Sequence, residues 1–287
     1  MTLTLGPLRL QPGNFAVMAI LNRTPDSFYD GGRNVALADA LDSVARAVDE
    51  GAAIVDIGGV RAGYGPTVGV AEELDRVLPV VTAVRERFPQ VAISVDTWRA
   101  RVAERVVAAG ADLINDTWAG ADPELVAVAA TTGAGIVCTH TGGLPPRTDP
   151  HRVAYDDVVA DVIATVTAAA EAAAARGVRR DGIVVDPTHD FGKNTRHSLE
   201  VTRRLDELVA MGWPVLVALS RKDFIGETLD LPPAQRLEGT LAATAISAWQ
   251  GTQIFRAHDV RSTRRVLDMV AAIRGTRPPA VARRGLV

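Results

Sequence analysis

Eight short, strongly apolar runs recur along the chain, each separated from the next by a longer amphipathic stretch. They are FAVMAIL (15–21), AAIVDI (52–57), VAISVD (91–96), ADLIND (111–116), AGIVCTH (134–140), GIVVD (182–186), WPVLVALS (213–220) and TQIF (252–255). The runs are apolar on both faces, so each predicts a strand of a parallel sheet covered on both sides. Helical patterns lie between them, such as VALADALDSVARAVDEG (35–51), which stops on Gly51, and AEELDRVLPVVTAVRERF (71–88). Eight such units without a break predict an α/β fold: one closed (β/α)8 TIM barrel over residues 1–287. An open doubly wound sheet is the alternative. The last residues, 275–287, are rich in Pro and Arg and are expected to fray.

Composition narrows the function classes. With 47% hydrophobic and 23% charged residues, the chain can fill a large core and is not of disordered type. A net charge of −3 and no basic run argue against nucleic acid as a partner. Cys138 is the single cysteine, which excludes an internal disulfide and a multi-cysteine metal site. It fits a small buried residue in a reducing cytoplasm. The opening MTLTLGPLRLQPGN lacks the basic start and long apolar stretch of a signal peptide. The alanine-rich run from Thr165 to Ala175 contains Glu171 and reads as too short and too interrupted to cross a bilayer, so no membrane is expected.

Polar residues collect where each apolar run ends: Asn22, Asp56, Asp96, Asn115, Asp116, His140, Asp186, Ser220 to Lys222, then Arg256, His258 and Asp259. In a parallel barrel all strand C-termini point to one rim, so these groups are expected to converge on one mouth. Taken singly, an Asp or Asn between strand and helix is most often an N-cap or turn former. Their recurrence at most of the strands points to a site. Two long loops flank it. The first, in MAILNRTPDSFYDGGR from Met18, carries Asn22, Asp26, Asp30 and Arg33 and exceeds the usual length of a βα turn, as a ligand-covering loop would. The second, GGVRAGYGPTVG, follows Ile57. His151, His189 and His197 show no zinc-site pairing and are expected at the surface or in caps, while Trp98 and Trp118 are expected to roof helices.

The motifs LNRTPDSFYDGG, SVDTWRA, LINDTWAG, the DP and FGK of DPTHDFGK, LSRKDF and FRAHDV resemble those of dihydropteroate synthases in order and spacing, over about Phe15 to Met269. Within that family the chain is most similar to the divergent second homologue that some actinobacteria carry beside an ordinary synthase. The resemblance implies binding of 6-hydroxymethyl-7,8-dihydropterin pyrophosphate and transfer of the pterin to an arylamine, p-aminobenzoate in the family, with release of pyrophosphate. It implies Mg2+ held by Asn22 and Asp26, and pyrophosphate held by Asn22, Arg256 and His258. Asp96, Asn115, Asp186 and Lys222 would hold the pterin, with Asp96 and Lys222 in catalytic roles. It also implies a homodimer.

The acceptor side departs from the family. Phe28 is present, but the family's GGESTRPG reads GGVRAGYG, so its Thr, Arg and Pro positions carry Ala62, Gly63 and Tyr64. Asp223 stands where the family has the serine that receives the substrate's carboxylate, after Arg221 and Lys222. An anion facing an anion costs about 1 kcal/mol or more, and each lost donor leaves a carboxylate unsatisfied at roughly 1–3 kcal/mol. Arg61, two positions before the family's arginine, is the candidate to compensate. The family's glycines after DP are Thr188 and Asp190, and a pocket methionine is Thr139. The pattern predicts poor use of p-aminobenzoate, with a pterin- or pyrophosphate-binding paralogue outside folate synthesis as the alternative. A methyltetrahydrofolate-binding barrel of corrinoid methyl transfer ranks last, because it has no need of TPDSF or the Arg-x-His-Asp clamp.

Overall fold

Ten strands form two sheets in the computed structural model, which describes residues 1–22, 32–63, 65–148 and 153–285. An antiparallel hairpin, β1 (Leu3–Leu5) and β2 (Leu8–Leu10), comes first. Eight parallel strands follow: β3 (Ala16–Asn22), β4 (Ala52–Gly58), β5 (Ala92–Asp96), β6 (Leu113–Asn115), β7 (Gly135–Thr139), β8 (Ile183–Asp186), β9 (Leu216–Val217) and β10 (Ile254–Ala257). Their order is β8-β7-β6-β5-β4-β3-β10-β9. The ring closes between β8 and β9 through a parallel bridge, Val185 with Val215, and a 2.9 Å bond from the Val185 amide to the Pro214 carbonyl. Closure makes this a (β/α)8 barrel and excludes the open sheet.

All eight apolar runs contain a strand, and the helices between them obey the same logic. In α5 (Val158–Ala175) the buried residues Val158, Val162, Val166, Ala170 and Ala173 form one stripe, which packs over β7 and β8. Asp157 caps the helix, accepting from the Val159 and Ala160 amides at 2.9 and 3.1 Å. This corrects the expectation for the alanine-rich run. The helix is long and apolar enough to cross a membrane by length and composition, with mean hydropathy 1.6 over 18 residues. Its apolar stripe is engaged by the barrel.

The hairpin is a feature that the eight-run reading passes over. Leu3, Leu5 and Leu10 are buried against Met18, Ile54, Leu113 and Ile254 inside the barrel, so the hairpin plugs its N-terminal end. Gly135 makes the fit possible: a Cβ there would lie 2.5 Å from Leu5 Cδ2 and 2.6 Å from the Gly182 carbonyl. After α10 (Val260–Ile273), residues 275–285 carry no helix or strand and are exposed, with Arg277 paired to Asp268.

Candidate functional site

The barrel's inner lining changes character in a single step along the strands. Met18, Ile54, Ala92, Leu113, Val137, Val184, Leu216 and Ile254 form an aliphatic layer. Side chains alternate faces along a strand, so the residues two further on face inward again. These are Ile20, Asp56, Ser94, Asn115, Thr139, Asp186, Ala218 and Arg256. Six of them line a cavity of about 580 Å³ at the C-terminal mouth, and Asp56 and Ser94 lie fully buried behind it.

Asp56 is the hub of this floor. Its carboxylate accepts from Arg256 Nε at 2.6 Å, Ser94 Oγ at 2.6 Å and Asn115 Nδ2 at 3.2 Å. A buried carboxylate without such donors would be strongly destabilising. Arg256 also reaches Asp96 Oδ2 at 3.3 Å, while Thr117 Oγ1 donates to Asp96 Oδ1 at 2.8 Å. Burial raises the Asp96 carboxyl well above its ordinary range, Arg256 pulls it back, and the Asp56 charge pushes it up again. Burial likewise lifts Asp186 to about 6, against the Thr188 amide at 2.7 Å and the nearby Lys222 charge. Lys222, its pKa lowered by burial, donates to the His189 carbonyl and sits 4.6 Å from the centre of the Phe191 ring. His258 is also lowered by burial, and its Nδ1 lies 3.0 Å from Ser220 Oγ.

Turns build the outer wall. Thr188, Asp190 and Arg221 hold left-handed φ angles of 53°, 68° and 58°. Such angles favour glycine, which is what the resembled family carries at the first two. Arg221 makes a two-point pair with Asp259 (3.1 and 3.0 Å), and Arg236 binds Asp223 at 2.7 Å. From the opposite side Arg147 spans two carbonyls of the second loop, Gly63 at 3.1 Å and Pro66 at 2.7 Å, beside Arg61.

The cavity brings together Asn22, Arg61, Asp96, Asn115, Asp186, Arg221, Lys222, Asp223, Arg256 and His258. Asp26, Phe28, Asp30, Tyr64 and His151 lie outside the described residues, as does the Arg33 side chain. Besides Asp56, which lies behind the floor, three members of the expected rim are not part of its lining. His140 is fully buried and turned away to Lys193 Nζ and Asp161, both at 2.7 Å. Asp116 ties its own turn, accepting from the Trp118 and Gly120 amides. Asp259 holds Arg221. The surface or capping role expected of His189 is also corrected: it is buried, stacked on Phe224 at 5.5 Å. His197 does complete the capping box of α6 (Thr195–Arg203) with Asn194. Trp118 is buried against Phe191, Trp98 lies under the Arg99 guanidinium, and Cys138 is buried with its thiol pushed up to about 12. Asp56, expected on the rim from its place at the end of AAIVDI but given no role there, is the buried centre of the floor's charge network.

Oxygens of the kind a divalent ion takes stand near each other at the mouth: Asn22 Oδ1 and Asp96 Oδ2 lie 3.7 and 3.9 Å from where a Cβ on Gly58 would be. Among the described residues no group of three or more His, Cys, Asp or Glu side chains forms a metal cage.

Comparison with known proteins agrees with this geometry. The family model described as "Pterin binding enzyme" matches residues 18–258. "Inactive dihydropteroate synthase 2" of Mycobacterium leprae is 57% identical over 94% of each chain. "Dihydropteroate synthase" of Escherichia coli is 39% identical over 89% of this chain and 90% of its own. The Yersinia pestis dihydropteroate synthase, solved with a sulfonamide drug, superposes with a TM-score of 0.88 at 39% identity, covering 96% of this chain and 100% of its own. With strand order, charged floor and sequence in agreement, the chain belongs to the dihydropteroate synthase family of pterin-binding enzymes, as a divergent paralogue.

Proposed function

We propose that the cavity binds 6-hydroxymethyl-7,8-dihydropterin pyrophosphate and that this paralogue does not make dihydropteroate from p-aminobenzoate at the rate of an ordinary synthase. The observation that carries the first half is the polar floor itself. Asp96, Asn115, Asp186, Lys222 and Arg256 converge on a space of about 580 Å³, the scale of a small-molecule site. Asp186 would accept from the amidine edge of the pterin, Asn115 and Asp96 would hold its other edges, and Lys222 would pack over the ring. Arg256 and His258 would take the pyrophosphate, with the planar guanidinium fork matched to phosphate oxygens. Asn22, together with Asp26, would hold Mg2+, which when bound offsets charge on the departing pyrophosphate. Asp96 would then face the cationic pterin methylene and stabilise it.

The second half rests on the outer wall. Ala62 and Gly63 offer no side-chain donor, and Asp223 presents a carboxylate where an acidic acceptor would dock. Relatives more than half identical to this chain carry the word inactive in their names. A second reading, transfer to a different arylamine, is favoured by the retained Asp96, Asn115, Asp186, Lys222 and Arg256. Incubation with Mg2+, the pterin pyrophosphate and p-aminobenzoate tests both. Micromolar binding of the pterin pyrophosphate with no dihydropteroate is expected. Product at the rate of a normal synthase run alongside refutes the proposal, and pyrophosphate release without dihydropteroate points to the second reading.

We propose a cytoplasmic homodimer as well. Ile246 and Trp249 on α9 (Leu237–Gln250) and Met269 and Ile273 on α10 are all more than half exposed, on two helices that pack together away from the mouth. Trp249→Asp should convert a dimer seen in sedimentation to a monomer.

A further inference from the structure

Asp190 occupies an unusual place on the outer wall. Its backbone has a φ of 68°, where a side chain is normally disfavoured, yet it carries a carboxylate whose two oxygens are both engaged. Oδ1 accepts from Ser198 Oγ at 3.0 Å, and Oδ2 accepts from the Asp223 amide at 2.7 Å and the Phe224 amide at 3.4 Å. The carboxylate is therefore pinned against the turn that carries Lys222 and Asp223, and it lines the cavity.

Two arginines of this wall are matched. Arg221 is held by Asp259, and Arg236 by Asp223. The Lys222 ammonium bonds the His189 carbonyl, and Asp190 is the largest attractive charge acting on it, ahead of Asp186. An amine entering with its own carboxylate would meet the Asp190 carboxylate where it occupies the Asp223 and Phe224 amides, two donors an anion would otherwise use, and then Asp223, exposed and paired with Arg236. An uncharged amine of the same shape would meet no such penalty.

We infer that Asp190 is a specificity-determining residue: together with Asp223 it excludes an amine that bears a carboxylate and admits one that is neutral or cationic. This rests on reading the cavity as a pterin-pyrophosphate and amine site, and the test separates the two. Calorimetric titrations of p-aminobenzoate and its neutral isostere 4-aminobenzamide are run with and without the pterin pyrophosphate, whose own binding is measured first. If the pterin pyrophosphate does not bind, the functional reading fails, while the two amines still report on the wall. The native protein is expected to bind the amide at least tenfold more tightly than the acid. Asp190→Asn keeps the shape and one acceptor oxygen, and Asp190→Gly suits the left-handed backbone. Each should shrink that ratio at least fivefold. An acid bound as tightly as the amide, an amide that does not bind, or a ratio unmoved or raised in the variants that fold overturns the inference.

Discussion

The floor of the cavity and its outer wall share one space but are made in different ways. Floor side chains leave strands, so barrel register fixes their direction, and the central charge, Asp56, is held by three other strands through Arg256, Ser94 and Asn115. Wall side chains leave turns, and their positions depend on left-handed backbone at residues 188, 190 and 221 and on ion pairs with half-exposed partners. Strand-borne groups change only if several partners change together. Turn-borne groups can be exchanged one at a time, and most of this chain's departures from the family it belongs to lie there, with Thr139 on β7 the strand-borne exception.

Three measurements would break or sharpen that contrast. Arg256→Ala should do the most damage, because it leaves Asp56, which is 0% exposed, without its cation. A loss of about 3 kcal/mol in unfolding free energy is expected, with at least a hundredfold weaker pterin pyrophosphate binding. A variant with native stability and affinity would show that the floor is not a coupled unit. Acid comes second. Asp186 sits at about 6 in the folded protein because it is buried, and a pterin donating to it needs the ionised carboxylate. Lowering the pH protonates it, so affinity should fall about tenfold per unit below about 6, and a flat profile between pH 7.5 and 5 would detach Asp186 from the ligand. The smallest effect belongs to the wall. Asp223→Ser removes an exposed partner of Arg236 and should shift stability by no more than about 0.5 kcal/mol in thermal unfolding. A larger loss would mean the wall is as tightly coupled as the floor.

Legibility followed the same division. The barrel was readable because β-branched runs apolar on both faces leave few alternatives, and a polar residue at the end of a strand is conspicuous. That reading placed Asn115, Asp186 and Arg256 correctly at the mouth. It failed for His140 because a strand end fixes where a residue sits and not which way its ring turns; Lys193 and Asp161, distant in sequence, decide that. The hairpin was invisible because LTL and LRL are too short for a periodic signal, and their burial depends on the space left by Gly135. For Asp190 the sequence shows only a residue standing where the family has glycine. Its bonds to the Asp223 and Phe224 amides arise from two turns that meet only once the barrel has closed.

The bond between Arg256 and Asp96 has a consequence for the charge the site can hold. An anion that draws the guanidinium toward itself draws it off Asp96 Oδ2, only 3.3 Å away. Because the Arg256 charge is what pulls the buried Asp96 carboxyl back from its raised pKa, losing that contact would favour the neutral acid at Asp96.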